Sequence, residues 1–153
     1  TQVRGQYTII HDADEEYEPD DILTLLQYAQ DHDEVAVFGS RRLRPQKQYT
    51  HIAYYIGGTW LTYVVNALYG TRLTDMPTCY KLIRTDIVRT LPLTQSDFRF
   101  DAELTCCLLE RGHHIAEVPI QYQPRTVAEG KKIGWQDGVR ALLVIARGVR
   151  RTA

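Results

Sequence analysis

The chain has 153 residues, of which 44% are hydrophobic and 24% charged, and its formal net charge is −1. This length suits one domain, and the apolar content is sufficient for a core, which excludes a disordered chain. The near-neutral charge and an acidic amino-terminal region argue against nucleic-acid binding. Three cysteines, two of them adjacent, predict neither a disulfide framework nor a zinc site, and they suit a reducing cytoplasm.

The charge is unevenly distributed along the chain. Residues 1–34 contain ten acidic residues and one basic residue, whereas residues 125–153 contain seven basic and two acidic residues. An acidic segment suits a cation site, and a basic segment suits phosphate groups or an anionic membrane surface. Two solvated charged faces are the alternative interpretation.

The first part of the chain has the pattern of a strand, a helix and a second strand. Residues 7–10 are β-prone, and 35–38 form a fully apolar run. Between them, Pro19-Asp20-Asp21 indicates a helix start, because proline and carboxylates favour the first turn. Helical spacing follows in four apolar residues: Ile22, Leu25, Leu26 and Ala29. This order predicts a βαβ unit and a parallel sheet that is buried on both faces.

Residues 51–69 contain no charged side chain, and this uncharged segment is long enough to span a membrane. Gly57-Gly58 and the polar and tyrosine side chains of this segment lower its hydropathy and argue against a span. We expect either a helix that packs on one side and lies at a membrane interface, or an ordinary buried helix.

Three further elements are expected in the second half of the chain. Residues 98–111 are predicted to form a helix that Gly112 closes in a left-handed conformation. Residues 115–122 form a strand, and Pro119 predicts that it lies at a sheet edge. A final helix is predicted over 135–151, with one face shared by Val139, Leu142, Leu143 and Ala146.

Asp12 and Asp14 follow the first predicted strand. Side chains at positions i and i+2 of an extended segment point the same way, and ligands bind beyond the carboxyl ends of parallel strands. Paired carboxylates suit Mg²⁺ or Mn²⁺ when phosphate oxygens complete the coordination shell. The pair therefore predicts a metal site for a diphosphate leaving group, with a loop cap as the alternative.

Cationic residues follow at two other places. Arg41 comes directly after the second predicted strand, at the same sheet edge as the two aspartates, and an arginine there suits bidentate phosphate binding. Arg125, Lys131 and Lys132 surround a glycine-containing loop that suits a phosphate clamp. A surface arginine and a solvent-facing basic loop are the respective alternatives.

Taken in chain order, these segments resemble the dolichyl-phosphate mannosyltransferase and bacterial polyprenyl-phosphate glycosyltransferase group of family-two glycosyltransferases. The matching segments span nearly the whole chain: Asp12-Ala13-Asp14, Gly39-Ser40-Arg41, Asn66-Ala67-Leu68-Tyr69-Gly70, Leu73-Thr74-Asp75-Met76, Thr78-Cys79-Tyr80-Lys81, Phe100-Asp101-Ala102-Glu103-Leu104, Glu117-Val118-Pro119-Ile120 and Gly130-Lys131-Lys132-Ile133.

The resemblance implies an α/β GT-A fold, which is Rossmann-like, with a mostly parallel sheet flanked by helices. Residues 1–134 would be the carboxy-terminal portion of the catalytic domain, and 135–153 a basic amphipathic helix that faces a membrane. Members of this group begin with strands that bind the nucleotide base, and these are lacking here. We therefore expect an amino-terminally truncated chain, with self-association as a means of covering exposed strand edges.

The implied function is transfer of a sugar, with inversion, from a GDP- or UDP-linked donor to dolichyl or undecaprenyl phosphate. This metal-dependent reaction would take place peripherally, at the cytoplasmic face of a membrane. The implied roles are metal and donor binding by Asp12 and Asp14, donor binding by Arg41, acceptor-phosphate binding by Arg125, Lys131 and Lys132, and a catalytic place at the reaction centre for Asp75 and Glu103.

Two other functions fit parts of the pattern. A non-catalytic, membrane-associated fragment or regulatory module of the same fold would bind vesicles without binding metal or nucleotide. A metal-dependent nucleotidyltransferase would also pair carboxylates over a metal on an α/β sheet. The sequence shows no glycine-rich triphosphate loop for the latter.

Overall fold

A computed structural model describes residues 3–12, 15–44, 52–124 and 135–152. Four strands and five helices are formed by these residues, in the order β1 (Tyr7–Ile10), α1 (Asp21–Asp31), β2 (Ala36–Ser40), α2 (Ile52–Tyr69), β3 (Lys81–Arg84), α3 (Thr85–Val88), α4 (Arg99–Glu110), β4 (Ala116–Pro119) and α5 (Trp135–Thr152). The predicted positions of β1, α1, β2, α2, α4, β4 and α5 are confirmed within a few residues at each end.

The strands form one mixed sheet in the order β1-β3-β2-β4. Strand β3 runs antiparallel to both of its neighbours, and β4 pairs in parallel with β2. Three of the four strands therefore point the same way, although only one of the three pairings is parallel. Strand β4, which contains Pro119, lies at an edge of the sheet as predicted.

The prediction of a simple βαβ unit needs a correction. Strands β1 and β2 are parallel, but β3 lies between them and hydrogen-bonds to both. Lys81–Arg84 was not predicted to be a strand, because this segment has only four residues and a charged side chain at each end. The inserted strand is what makes the sheet mixed.

Helices cover both faces of the sheet, and side chains alternate between them. Val37 and Leu82 point to the face covered by α1, where Leu25 and Ala29 are buried. Ala36, Phe38 and Ile83 point to the other face, together with the buried side chains of α2, α4 and α5. This three-layer α/β arrangement agrees with the GT-A-like fold predicted from the sequence.

Two glycines end helices in the left-handed conformation that favours this residue. Gly112, after α4, has a φ angle of 75°, as predicted, and Gly70, after α2, has one of 66°. Asn66 then holds the chain that leaves α2, because its amide accepts hydrogen bonds from Thr71 and Leu73 and donates one to the Leu73 carbonyl. These contacts direct the chain toward the loop before β3.

Helix α5 buries a different face from the one that its most apolar stripe suggests. Ala141 and Ile145 pack in the core, whereas Val139, Leu143 and Ala146 are exposed. Helix α2 likewise exposes Trp60, with 56% of its surface accessible, and Tyr63, with 63%. No helix among the described residues is both long enough and apolar enough to cross a membrane.

Candidate functional site

The topology brings four segments to the edge of the sheet at which the parallel strands have their carboxyl ends. The parallel strands β1, β2 and β4 end at this edge, and the antiparallel strand β3 begins there. As a result, the edge collects Asp12 after β1, Arg41 after β2, the 74–80 loop before β3 and Tyr122 after β4. Ligands of α/β proteins bind at the carboxyl ends of such strands.

An ion pair between Arg41 and Asp75 forms the centre of the site. The Asp75 carboxylate accepts hydrogen bonds from Arg41 Nε at 2.7 Å, Nη2 at 2.7 Å and the backbone N–H at 3.0 Å. The Asp75 side chain is fully buried, and Arg42 Nε lies 3.8 Å from its Oδ1 atom. The two side-chain bonds leave the Arg41 guanidinium little freedom to move, and the third fixes its backbone.

The electrostatics of Asp75 follow from this pairing. Burial opposes ionisation, but the charge and hydrogen bonds of Arg41 outweigh it and lower the pKa of Asp75 below its usual 3.8. A carboxylate that is held ionised in this way is a weak proton acceptor at neutral pH. The contacts therefore favour a role for Asp75 in fixing Arg41 over a role in proton transfer.

A second carboxylate, Glu117 on β4, holds the segment that carries Asp75. Its Oε2 atom accepts from Thr74 N at 2.7 Å and Thr74 Oγ1 at 2.9 Å, and its Oε1 atom accepts from Asp75 N at 2.9 Å. Burial raises the pKa of Glu117, while these hydrogen bonds act against the increase. Ser40 adds a hydroxyl contact to Thr74 at 2.6 Å.

Aromatic side chains connect Arg41 to the Asp12 segment. The Arg41 guanidinium lies 4.9 Å from the ring centroid of Tyr122, which is 5.1 Å from that of Tyr17. The Tyr17 hydroxyl accepts from Cys79 N at 3.1 Å, and Cys79 Sγ accepts from Asp12 N at 3.1 Å. The two sequence-predicted ligand groups are thus joined by a continuous series of contacts.

The loop after Asp12 is attached to the end of β4. Tyr122 donates its hydroxyl hydrogen bond to Glu16 Oε2 at 2.7 Å, and Gln123 N donates to the Glu16 carbonyl at 2.8 Å. Glu15, just before this attachment, has a φ angle of 62°, which is uncommon for a residue with a side chain. Backbone strain of this kind is maintained by the surrounding contacts.

The donor chemistry at Asp12 fits a hard divalent cation. Its side chain is exposed at the ligand-binding edge, and its predicted partner Asp14 lies outside the described residues. No cluster of three metal-binding side chains occurs in the described parts of the chain. Mg²⁺ does not require such a cluster, because one or two carboxylates together with substrate phosphates and water complete its shell.

Glu103, predicted at the reaction centre, is bound to a neighbouring loop. Its carboxylate accepts from Thr94 N at 2.8 Å, Thr94 Oγ1 at 2.7 Å and Gln95 N at 2.8 Å. Asp101, two residues earlier on the same helix, pairs with the fully buried Lys81 at 2.7 Å. Asp101, and not Glu103, thus contacts the first residue of β3, at the site edge.

The remaining residues are three predicted cations and two residues of the site that were not predicted. Arg125, Lys131 and Lys132, predicted to bind an acceptor phosphate, lie outside the described residues. Glu117 lies in one of the segments that resemble the family, but neither Glu117 nor Arg42 was predicted to be a site residue. An acidic residue inside a short, otherwise apolar strand was the available signal for Glu117, and adjacency to Arg41 was the signal for Arg42.

Comparison with known proteins agrees with this geometry. Residues 1–91 match the model of a family described as Glycosyl transferase family 2. The chain is also similar to a Haloferax volcanii protein named low-salt glycan biosynthesis hexosyltransferase Agl6, with 28% identity over 153 residues. That alignment covers 96% of this chain and 37% of the relative, so the chain spans a little over a third of the relative's length.

Proposed function

The chain belongs to glycosyl transferase family 2, and on that premise we propose that it transfers a sugar from a nucleotide-sugar donor to a polyprenyl phosphate. The observation that carries the proposal is the Arg41–Asp75 pair at the same sheet edge as Asp12. A fixed cation beside a carboxylate of a metal site is what a donor diphosphate requires. The hexosyltransferase name of the similar Haloferax volcanii protein supports a hexose as the transferred group.

In the proposed reaction, an oxygen of the acceptor phosphate forms a bond to the anomeric carbon of the sugar. The bond between that carbon and the donor diphosphate oxygen breaks, and the nucleoside diphosphate leaves with the bonding electron pair. One displacement inverts the anomeric centre. The acceptor is already anionic at neutral pH, so it needs orientation more than deprotonation.

The chain's own residues have separate tasks in this scheme. Arg41, held by Asp75, binds the donor diphosphate and stabilises the charge that develops on it. Arg125, Lys131 and Lys132 bind and orient the acceptor phosphate. The location of Glu103 at the reaction centre stays a prediction, because its described contacts are with residues 94–95.

Asp12 and Asp14 are the residues that would hold Mg²⁺ or Mn²⁺. When bound, the cation would supply a positive charge that offsets the charge of the departing diphosphate. This assignment depends on the exposed carboxylate of Asp12 at the carboxyl end of β1 and on the Asp-x-Asp spacing.

Two helix surfaces support a lipid acceptor and a membrane partner. Helix α2 exposes Ile56, Trp60, Tyr63 and Leu68, and α5 exposes Val139 and Leu143. The Trp60 and Tyr63 rings stack with centroids 6.0 Å apart. Tryptophan and tyrosine favour the boundary between lipid and water, and exposed apolar groups mark binding surfaces. We propose that α2 and α5 place the site peripherally on a cytoplasmic membrane face.

The proposal is tested by incubating the protein with Mn²⁺, polyprenyl phosphate in detergent and a panel of GDP- and UDP-linked sugars. Labelled lipid is the readout, and Asp14→Asn and Arg41→Lys are the test variants. We expect transfer that falls by at least about a hundredfold in either variant. Asp14→Asn removes a negative charge from the metal site, and Arg41→Lys removes the bidentate pairing with Asp75 that fixes the cation for the donor diphosphate.

Vesicle sedimentation distinguishes the proposed enzyme from a non-catalytic membrane module. Binding to anionic vesicles that Trp60→Ala with Tyr63→Ala abolishes, without any binding of nucleotide or metal, would favour a non-catalytic membrane module. Release of pyrophosphate from a nucleoside triphosphate would instead indicate a nucleotidyltransferase and contradict the proposal.

A further inference from the structure

Glu117 lies within β4, before the carboxyl end of the strand, and it binds the segment on which Arg41 depends. Its two carboxylate oxygens accept three hydrogen bonds from the adjacent residues Thr74 and Asp75. We propose that Glu117 is a positioning residue, which fixes the Asp75 backbone so that Asp75 can orient Arg41 toward a donor diphosphate. This inference rests on the proposed function for the role of Arg41, but its structural part can be tested separately.

The bonding pattern requires a carboxylate. All three groups that point at Glu117 are donors: two backbone N–H groups and one hydroxyl. A glutamine has the same shape, but its amide nitrogen donates, so in either orientation at least one donor would face another donor. Glu117→Gln therefore disrupts the contact without creating a cavity.

Rigid elements connect Glu117 to Arg41 on both sides. Glu117 is paired with Phe38 in the parallel β2–β4 ladder, and Arg41 follows the end of β2. Asp75 closes the connection, because it accepts from both the backbone and the side chain of Arg41. Movement of the Thr74–Asp75 peptide would be passed on directly to the Arg41 guanidinium.

Helix α2 contributes a second attachment to the same loop. Thr62 accepts a hydrogen bond from Met76 N at 3.1 Å, and it donates to the Gly58 carbonyl at 2.8 Å. The loop is therefore fixed by α2 at Met76 and by Glu117 at Asp75. Loss of the Glu117 contact should loosen Asp75 while the helix contact and the fold remain.

The first test observes Arg41 itself. In a ¹⁵N-arginine sample, the Nε–H signal of Arg41 is assigned by its disappearance in Arg41→Lys, and its hydrogen-exchange rate is measured. We expect Glu117→Gln to accelerate this exchange by about tenfold or more, because the Nε–H bond to Asp75 opens more often. Unchanged exchange in a folded Glu117→Gln protein would refute the positioning role.

A matched pair of threonine variants provides the control. Thr74→Val removes the hydroxyl bond to Glu117, and Thr94→Val removes the equivalent bond to Glu103. We expect faster Arg41 exchange in Thr74→Val and wild-type exchange in Thr94→Val. Equal acceleration in both variants would indicate general loosening of the fold and would also refute the inference. If Glu117→Gln fails to fold, these two threonine variants test the positioning role in its place.

The second test uses transfer kinetics and a double-mutant cycle. We expect Glu117→Gln to weaken transfer by about tenfold to a hundredfold, mainly through a higher KM for the nucleotide sugar. If Glu117 acts only through Asp75, adding Glu117→Gln to Asp75→Asn should cause little further loss. Fully additive losses would show that Glu117 acts by another route.

The two tests fail in different ways. Faster Arg41 exchange in Glu117→Gln, with transfer that is insensitive to Arg41→Lys, would retain the positioning role and overturn the proposed function. Transfer that is sensitive to Arg41→Lys, with unaltered Arg41 exchange in Glu117→Gln, would retain the function and overturn the positioning role.

Discussion

Two carboxylates hold two loops through the same three kinds of donor in different parts of the molecule. Glu117 accepts from the backbone and hydroxyl of Thr74 and from the next backbone N–H, with distances of 2.7, 2.9 and 2.9 Å. Glu103 accepts from the same three groups of Thr94 and its successor, with distances of 2.8, 2.7 and 2.8 Å. The hydroxyl shares an oxygen with the threonine N–H in the first contact and has the other oxygen to itself in the second, but the set of donors is the same.

What differs is the residue that each loop presents. Asp75, in the first loop, is buried and binds Arg41 in two places. Gln95, in the second loop, uses its side-chain amide to donate to Thr94 Oγ1 at 3.0 Å. The same set of donors to a carboxylate therefore supports a charged site in one region and an uncharged loop in the other. The role of such a carboxylate therefore depends on the residues that its loop carries, in addition to the groups that donate to it.

Asp75→Asn should produce the largest effect, because it removes the residue that makes the two regions different. Replacing one partner of a largely buried ion pair leaves Arg41 uncompensated, and we expect the free energy of unfolding to fall by about 3–5 kcal/mol. Urea denaturation measures this change. Asp86→Asn, at an exposed pair with Arg84, is the control. A similar loss of unfolding free energy in that variant would contradict the larger contribution expected of the buried pair.

Glu117→Gln and Glu103→Gln should destabilise the fold by similar amounts, about 1–3 kcal/mol, since each leaves donors unsatisfied. We expect transfer to fall more in Glu117→Gln, because Arg41 depends on that loop. The measurements are urea denaturation and initial transfer rates of both variants. A greater loss of transfer in Glu103→Gln would instead support the sequence prediction that Glu103 lies at the reaction centre.

Thr74→Val and Thr94→Val should have smaller effects on stability, about 1 kcal/mol or less. Thr74 is the more important of the two, because it is half-buried and its hydroxyl also contacts Ser40 at 2.6 Å, whereas Thr94 is exposed. Thermal unfolding should therefore show a larger fall in Tm for Thr74→Val. A larger fall in Tm for Thr94→Val would mean that the greater burial of Thr74 does not increase its contribution to stability.

The pH dependence of the Asp75→Asn effect should be the subtlest difference. The folded state lowers the pKa of Asp75 below 3.8, so its stabilising contribution is complete above that value and is lost as pH falls through the folded-state pKa. The wild-type and Asp75→Asn proteins should therefore converge in unfolding free energy only below pH 3.8. Convergence already near neutral pH would contradict the assigned ion pair.

Local sequence patterns predicted most of the fold. Strand β1 and helices α2 and α4 each have a continuous apolar or periodic signal, and Gly112 has a conformational reason for its position. Strand β3 was missed because it has only four residues and a charged side chain at each end. The buried Lys81 is accommodated by its pairing with Asp101, which lies 20 positions later in the chain, and by a hydrogen bond to the Thr78 carbonyl.

The site was predictable where topology alone places residues together. Asp12 and Arg41 follow parallel strands, so their common edge could be inferred before the structure was known. The pairing of Arg41 with Asp75 joins residues 34 positions apart, and that of Glu117 with Thr74 joins residues 43 apart. No local periodicity encodes such contacts, because they depend on how loops approach one another after the layers pack.

The Glu16–Tyr122 hydrogen bond joins residues that are 106 positions apart. Contacts of such long range close large loops, and their entropic cost must be met by structure that has already formed. During synthesis, this bond can form only after residue 122 has emerged from the ribosome, long after β1 and α1 are available. We therefore expect the first strand and helix to wait for β4, and the ligand edge to be completed among the last parts of the fold.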